Sequence, residues 1–305
     1  YHPIPIISLH GGDGPRVLII GGTHGDEFEG PTAIMRLMEK LKAQEIYGKI
    51  LLIPVLNASA AKVSSRVSPL DGQNLNRQFP GNPNGDPTAM LAHYIETKII
   101  PRCDAVLDLH SGGKASIFAP CVLATRCEDL ELQKKNFELA YAFGTPLIWA
   151  LGIHNDNRSI NSAAARSSVP MIAAELGRGG GNDPSLVDIA EAGILRCLRY
   201  LGIQKNAAQL DIERRIVEIK NPKHSLYAPA DGLFERRVSA GAQVDSGTLA
   251  GVMHFPLEPR RPSESLYLPS SGFVLAHGNR GIVKRGDLLV LILQDAKDLL
   301  DFELK

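Results

Sequence analysis

The chain has 305 residues, 44% hydrophobic and 22% charged, with 33 basic and 33 acidic side chains and a formal net charge of zero. That is the composition of an ordinary globular protein. With no stripe of Lys and Arg, it excludes partners recognised through runs of phosphate, whether nucleic acid or an anionic membrane surface.

Arg16 to Ile20 (RVLII) reads as a buried strand ending in Gly21-Gly22. A helix is expected over Pro31 to Lys42, with Pro31 at its first position and Ala33, Ile34, Leu37, Met38 and Leu41 on one face. Lys49 to Leu56 is the next strand, and Pro54 marks it as an edge strand or a strand end. Asn57 to Pro87 is a long stretch rich in Ser, Gly, Pro and Asn, and loops of that length inside a compact domain are often functional. Then come a helix near Thr88 to Ile100, a strand at Ala105 to His110, a helix at Glu128 to Phe143 and a strand at Leu147 to Leu151. A helix at Ile160 to Ser167, a strand at Met171 to Leu176 and a helix at Ser185 to Leu201 complete the alternation. The pattern predicts a three-layer α/β domain over residues 1–204, with parallel strand pairs and helices on both faces of a mixed sheet.

Beyond Gly202 the apolar runs shorten and are broken by Gly, Pro, Asn and Asp. Arg215 to Ile219, Gly232 to Arg236, Thr248 to Met253, Gly272 to Ala276 and Asp287 to Leu293 read as strands of a smaller all-β domain over residues 205–305. Its two halves look like those of a lipoyl-type β-sandwich. The hairpin region that would carry a modified lysine, about Phe255 to Ser263, contains none, so covalent biotin or lipoate is not expected.

His24 and Glu27 lie just past the first strand, and His110 ends another. Two imidazoles and one carboxylate match a three-ligand zinc set that leaves a position for water, which metal-assisted hydrolysis requires. Ligands of open α/β sheets collect beyond the carboxyl ends of strands, where all three lie, together with Glu175 at the end of MIAAEL. A lone His-x-x-Glu is common, and the specificity comes from the joint placement. Strand alternation puts Asp108 on the face of His110, where it can orient that ring. Of the other histidines, none of which is assigned to the metal, His154 in a polar loop is the best placed to touch substrate.

GGTHGDEFEG, NLNRQFPG, LDLHSGG and AAELGRGG, in that order over roughly residues 16 to 200, resemble the succinylglutamate desuccinylase/aspartoacylase family, a relative of the zinc carboxypeptidases. Within it the chain looks most like the bacterial N-acetyl-diaminobutyrate deacetylase branch. The resemblance implies one Zn2+ on His24, Glu27 and His110, and Glu175 as general acid/base. It also implies that Asn76 and Arg77 hold the substrate carboxylate, and that Arg66 polarises the scissile carbonyl. Two departures stand out. Arg66 and Asn76 are further apart than in aspartoacylase, and Asn74 stands where many members have Asp, removing a charge near Arg77.

The expected activity is therefore removal of an acetyl or similar acyl group from a small N-acyl amino acid. A metallocarboxypeptidase acting on peptides and a non-catalytic metal-binding protein are the alternatives. No apolar run approaches the ~20 residues of a bilayer-spanning helix, and no signal peptide is visible. Cys103, Cys121, Cys127 and Cys197 are scattered like reduced thiols, so a cytoplasmic protein is expected, with homo-oligomerisation left open.

Overall fold

The computed structural model describes residues 2–152, 155–177, 179–205 and 213–299. His154 lies outside them. The first part of the chain supplies strands β1 (Ile7–His10), β2 (Arg16–Gly21), β3 (Lys49–Ile53), β4 (Ala105–His110), β5 (Ser116–Phe118), β6 (Cys121–Thr125), β7 (Leu147–Leu151) and β8 (Met171–Glu175). Its helices are α1 (Glu29–Lys40), α2 (Ala58–Ala61), α3 (Pro87–Tyr94), α4 (Leu130–Phe143), α5 (Ile160–Arg166) and α6 (Pro184–Tyr200). The later part is all β: β9 (Arg215–Glu218), β10 (Leu226–Tyr227), β11 (Gly232–Arg236), β12 (Gln243–Val244), β13 (Leu249–His254), β14 (Glu264–Tyr267), β15 (Gly272–Gly278), β16 (Ile282–Val283) and β17 (Leu288–Asp295).

The main sheet runs β1-β3-β2-β4-β8-β6-β7-β9 and continues through β17 and β15 to β12. A second sheet, β14-β13-β11-β16, completes the C-terminal sandwich around Ala250, Met253, Leu268, Val274 and Val290. The main sheet is mixed: β3, β2, β4 and β8 are mutually parallel, while β6 runs antiparallel to β8.

Period-two alternation explains the three layers. On β2, Val17 and Ile19 face α1, α4 and α6, whereas Leu18 and Ile20 face the opposite layer, where Leu75, Phe79 and α5 pack. At about 25 cal/mol per Å2 of buried apolar surface, these two faces supply the main driving force for folding.

Helix α1 begins two residues earlier than the sequence suggests, so Pro31 is its third residue. The first four N–H groups of a helix have no intrahelical acceptor, so the ring sacrifices no bond there. Pro54 follows the last residue of β3, an inner strand between β1 and β2, so of the two expected roles it has that of a strand end.

Candidate metal centre

Three separate strand ends converge at the carboxyl edge of the sheet. His24 and Glu27 follow β2, His110 closes β4, and Glu175 closes β8, directly opposite His110 in the parallel register. One ligand atom each from His24, Glu27 and His110 fall within 4.8 Å of one another, and all three residues are buried.

The hydrogen bonds around the two imidazoles set their tautomers. His110 Nε2 lies 2.7 Å from Asp108 Oδ2, and His24 Nε2 lies 3.1 Å from the side-chain oxygen of Asn74. Each Nε2 can therefore donate its proton outward, so that each Nδ1 is able to turn a lone pair inward toward a cation. Those lone pairs face each other 3.2 Å apart. They also face Glu27, whose oxygens lie 3.0 Å from His24 Nδ1 and 2.9 Å from His110 Nδ1. Three acceptors turned toward one point in a buried volume repel one another unless a cation lies between them.

Burial and neighbouring charges act on these three groups in opposite senses. Burial opposes charge on His110, but Asp108 and Glu27 outweigh it and hold the ring well above the ordinary histidine range, so the cluster attracts positive charge. Burial likewise works against the charge on Glu27, and the two imidazoles overcome it and hold this carboxylate well below its usual range. His24 is pushed down by burial.

Glu175 behaves in the opposite sense. The residue as a whole is only part-buried, but its Oε2 is sealed from solvent with no hydrogen-bond partner among the described residues. Burial first, and then the charge of Glu27, raise it to about 8. A carboxyl poised near neutrality beside a candidate metal centre suits proton transfer.

Arg66 reaches the same centre from the long loop, with Nη1 3.2 Å from Glu27 Oε1. Arg77 is set differently. Its Nε lies 3.2 Å from Asp156 Oδ2, its Nη1 donates to the Asn76 carbonyl at 2.6 Å, and it feels the charge of Arg66. Asn76 uses its side-chain oxygen to accept the Ile160 N–H at the start of α5, at 2.9 Å, so it joins the loop to the scaffold.

The sequence reading singled out Asn74 for its bearing on Arg77, whose N–H its backbone carbonyl accepts at 2.9 Å, but missed the contact of its side chain with His24. The side-chain oxygen of Asn74 also accepts the Asn76 N–H at 3.0 Å. Sequence separation hides such a contact, since 50 residues lie between Asn74 and His24. The only hint was its position at the head of the NLNR motif.

An oxygen-and-nitrogen donor set with an outward-tied imidazole pair, beside a carboxyl held near neutrality, is the equipment of metal-assisted hydrolysis. The catalytic-domain model of the succinylglutamate desuccinylase/aspartoacylase family matches residues 13–201, and the chain belongs to this family. It is 33% identical over 299 residues to N-alpha-acetyl-L-2,4-diaminobutyric acid deacetylase of Halomonas elongata, covering 97% of this chain and 87% of that protein. Its fold is similar to the product-bound structure of the ectoine utilization protein EutE (DoeB) from Ruegeria pomeroyi, with a TM-score of 0.91 and 31% identity over 95% of this chain and 89% of that one. A succinylglutamate desuccinylase/aspartoacylase from Rhodobacter sphaeroides gives a TM-score of 0.89 at 31% identity, over 96% and 89%. No helix among the described residues is long and apolar enough to cross a membrane.

Proposed function

We propose that this protein is a zinc-dependent deacylase that removes an acetyl group from the amine of a small amino acid, with an Nα-acetyl diamino acid as its preferred substrate. The observation that carries the metal is the pair of inward-facing Nδ1 lone pairs against Glu27, each fixed by a hydrogen bond on the far side of its ring. The acetylated diaminobutyrate named for the Halomonas relative supports the choice of substrate.

His24, Glu27 and His110 would hold the ion. When bound, Zn2+ supplies a Lewis acid and lowers the pKa of water at the open position. Glu175 accepts a proton from the attacking water as the new C–O bond forms. It returns that proton to the amine nitrogen as the C–N bond breaks, so the products are a carboxylic acid and a free amine. Arg66 lies on the metal side of the long loop and offsets the negative charge that grows on the carbonyl oxygen. Arg77 presents a planar fork for the substrate carboxylate, with Asn76 holding the loop in place. The free thiols of Cys103, Cys121, Cys127 and Cys197 support a cytoplasmic site of action. We assign residues 1–204 to the catalytic domain and 205–305 to the β domain that walls it.

The test is a substrate panel on zinc-loaded protein: acetyl, succinyl and formyl derivatives of aspartate, glutamate and diaminobutyrate, with short peptides alongside. Preferred release of acetate from Nα-acetyl-diaminobutyrate is expected. Turnover of the peptides with none of the N-acyl amino acids would replace this reading with a carboxypeptidase.

A further inference from the structure

Lys114, in the loop after His110, joins four parts of the molecule through separate atoms. Its backbone N–H donates to Asp26 Oδ2, between His24 and Glu27, at 2.9 Å. Its ammonium donates to the carbonyl of Ser64, two residues before Arg66, at 2.7 Å. Its own carbonyl accepts from the side-chain amide of Asn279, the residue after β15, at 3.3 Å. On its side chain lies Gly180, in the loop after Glu175, so close that a Cβ there would come within 2.7 Å of Lys114 Cγ.

The surroundings reinforce this junction. Asn279 also donates its backbone N–H to Ala115 at 2.9 Å. Strand β5, immediately after Lys114, pairs with β15 from Ser116 opposite Gly278 to Phe118 opposite Ala276. The loop ahead of Arg66 carries strain. Ser64 is a non-glycine residue at φ 48°, a region that L side chains rarely adopt. Its neighbour Ser65 accepts the Gly25 N–H at 3.0 Å, so residues 64–66 are caught between the metal loop and Lys114.

We infer that Lys114 is a positioning residue that fixes Arg66 against the reacting carbonyl and, through Asn279, ties that placement to the C-terminal β domain. This rests on the role proposed above for Arg66. The ammonium is exposed, so replacing it removes one hydrogen bond without opening a cavity in the core.

The test compares full-length K114M and K114R with the wild type in zinc content, kinetics on Nα-acetyl-diaminobutyrate and hydrogen exchange. K114M is expected to bind zinc normally and to keep its KM, with kcat lower by roughly 10- to 100-fold, the scale of a misplaced catalytic group. Amides in the peptide covering residues 58–70 should exchange faster, and K114R, which keeps a cationic donor, should restore both properties. N279A should speed exchange in the same peptide. Unchanged exchange there in K114M, or faster exchange spread evenly through the chain, would overturn the inference. If the wild type hydrolyses none of the N-acyl amino acids, the functional reading falls, and the exchange measurement still decides the part played by Lys114.

Discussion

Asp108 and His110 sit two residues apart on β4, on the same face, with Asp108 Oδ2 2.7 Å from His110 Nε2. Asp108 is fully buried, and its other oxygen accepts the Thr23 hydroxyl at 2.8 Å, so the carboxylate cannot swing away. This pins the histidine ring and turns Nδ1 inward. Replacing Asp108 with Asn leaves a weaker acceptor and an ambiguous amide. We expect zinc affinity to fall roughly 10- to 100-fold, as read by competition with a chromogenic chelator. Unchanged affinity would mean that the tautomer is set elsewhere.

Glu175 must be ionised to accept a proton. Its raised value of about 8, against 4.5 for an ordinary glutamate, comes from burial and then from Glu27. A cation beside Glu27 offsets the second cause and draws the value down. Activity should therefore rise with pH along an acidic limb whose midpoint lies between 4.5 and 8. E175Q should retain zinc and lose turnover by roughly 10²- to 10⁴-fold. A limb of the same midpoint in a still-active E175Q would assign the titration to another group.

Arg77 is held by Asp156, which Arg158 also grips through Nε at 3.0 Å and Nη2 at 2.8 Å. R77M should raise KM by roughly 10- to 100-fold, the worth of a charge-assisted hydrogen-bonded pair, with a smaller change in kcat. Lysine should not rescue it, because a point charge lacks the planar fork. Steady-state kinetics on acetylated amino acids and on their carboxamides would show it, since the carboxamides should already bind weakly to the wild type.

Gly177 lies against Ser111, where an added Cβ would sit 1.2 Å from the carbonyl oxygen. Ser111 in turn donates its N–H to Glu27 Oε2 at 3.2 Å. G177A must push these segments apart, at a cost of about 3 kcal/mol or more. A lower melting temperature together with reduced zinc content is expected. An unaltered protein would mean that the two loops are not packed this tightly.

Asp71 caps α3 from outside the helix. Its carboxylate accepts the Thr88 N–H and hydroxyl, both at 2.8 Å. Burial works to raise its pKa, but these bonds prevail and lower it below 3.8. The stabilisation is therefore present above 3.8 and is lost as pH falls through the lowered folded value. D71A should cost about 1 kcal/mol near neutrality, and the gap from the wild type in urea melts should close at low pH.

The elements best read from sequence were those with a strong period and clear boundaries. AVLDLH is a strand over Ala105–His110, and LIWAL is one over Leu147–Leu151. Strand β6 escaped because CVLAT is a five-residue run too short for periodicity to separate it from a helix fragment. Its antiparallel direction beside β8 was equally hidden, since side-chain periodicity carries no sense of direction. At the site, residue types at strand ends pointed to His24, Glu27, His110 and Glu175. The contacts of Asn74 and Lys114 depend on how three loops fold over one another, which no local pattern encodes.

The main sheet does not stop where the alternation of helices and strands ends. Strand β9 pairs with β7 from Leu147 opposite Arg215 to Trp149 opposite Val217, and β17 continues beyond it. A chain truncated after Gln204 would leave Leu147–Trp149 without the neighbour on their β9 side, along a strand most of whose residues are buried in the intact protein. Bare apolar edges of that kind recruit other chains. The excised N-terminal part should therefore clump rather than persist as a small working enzyme.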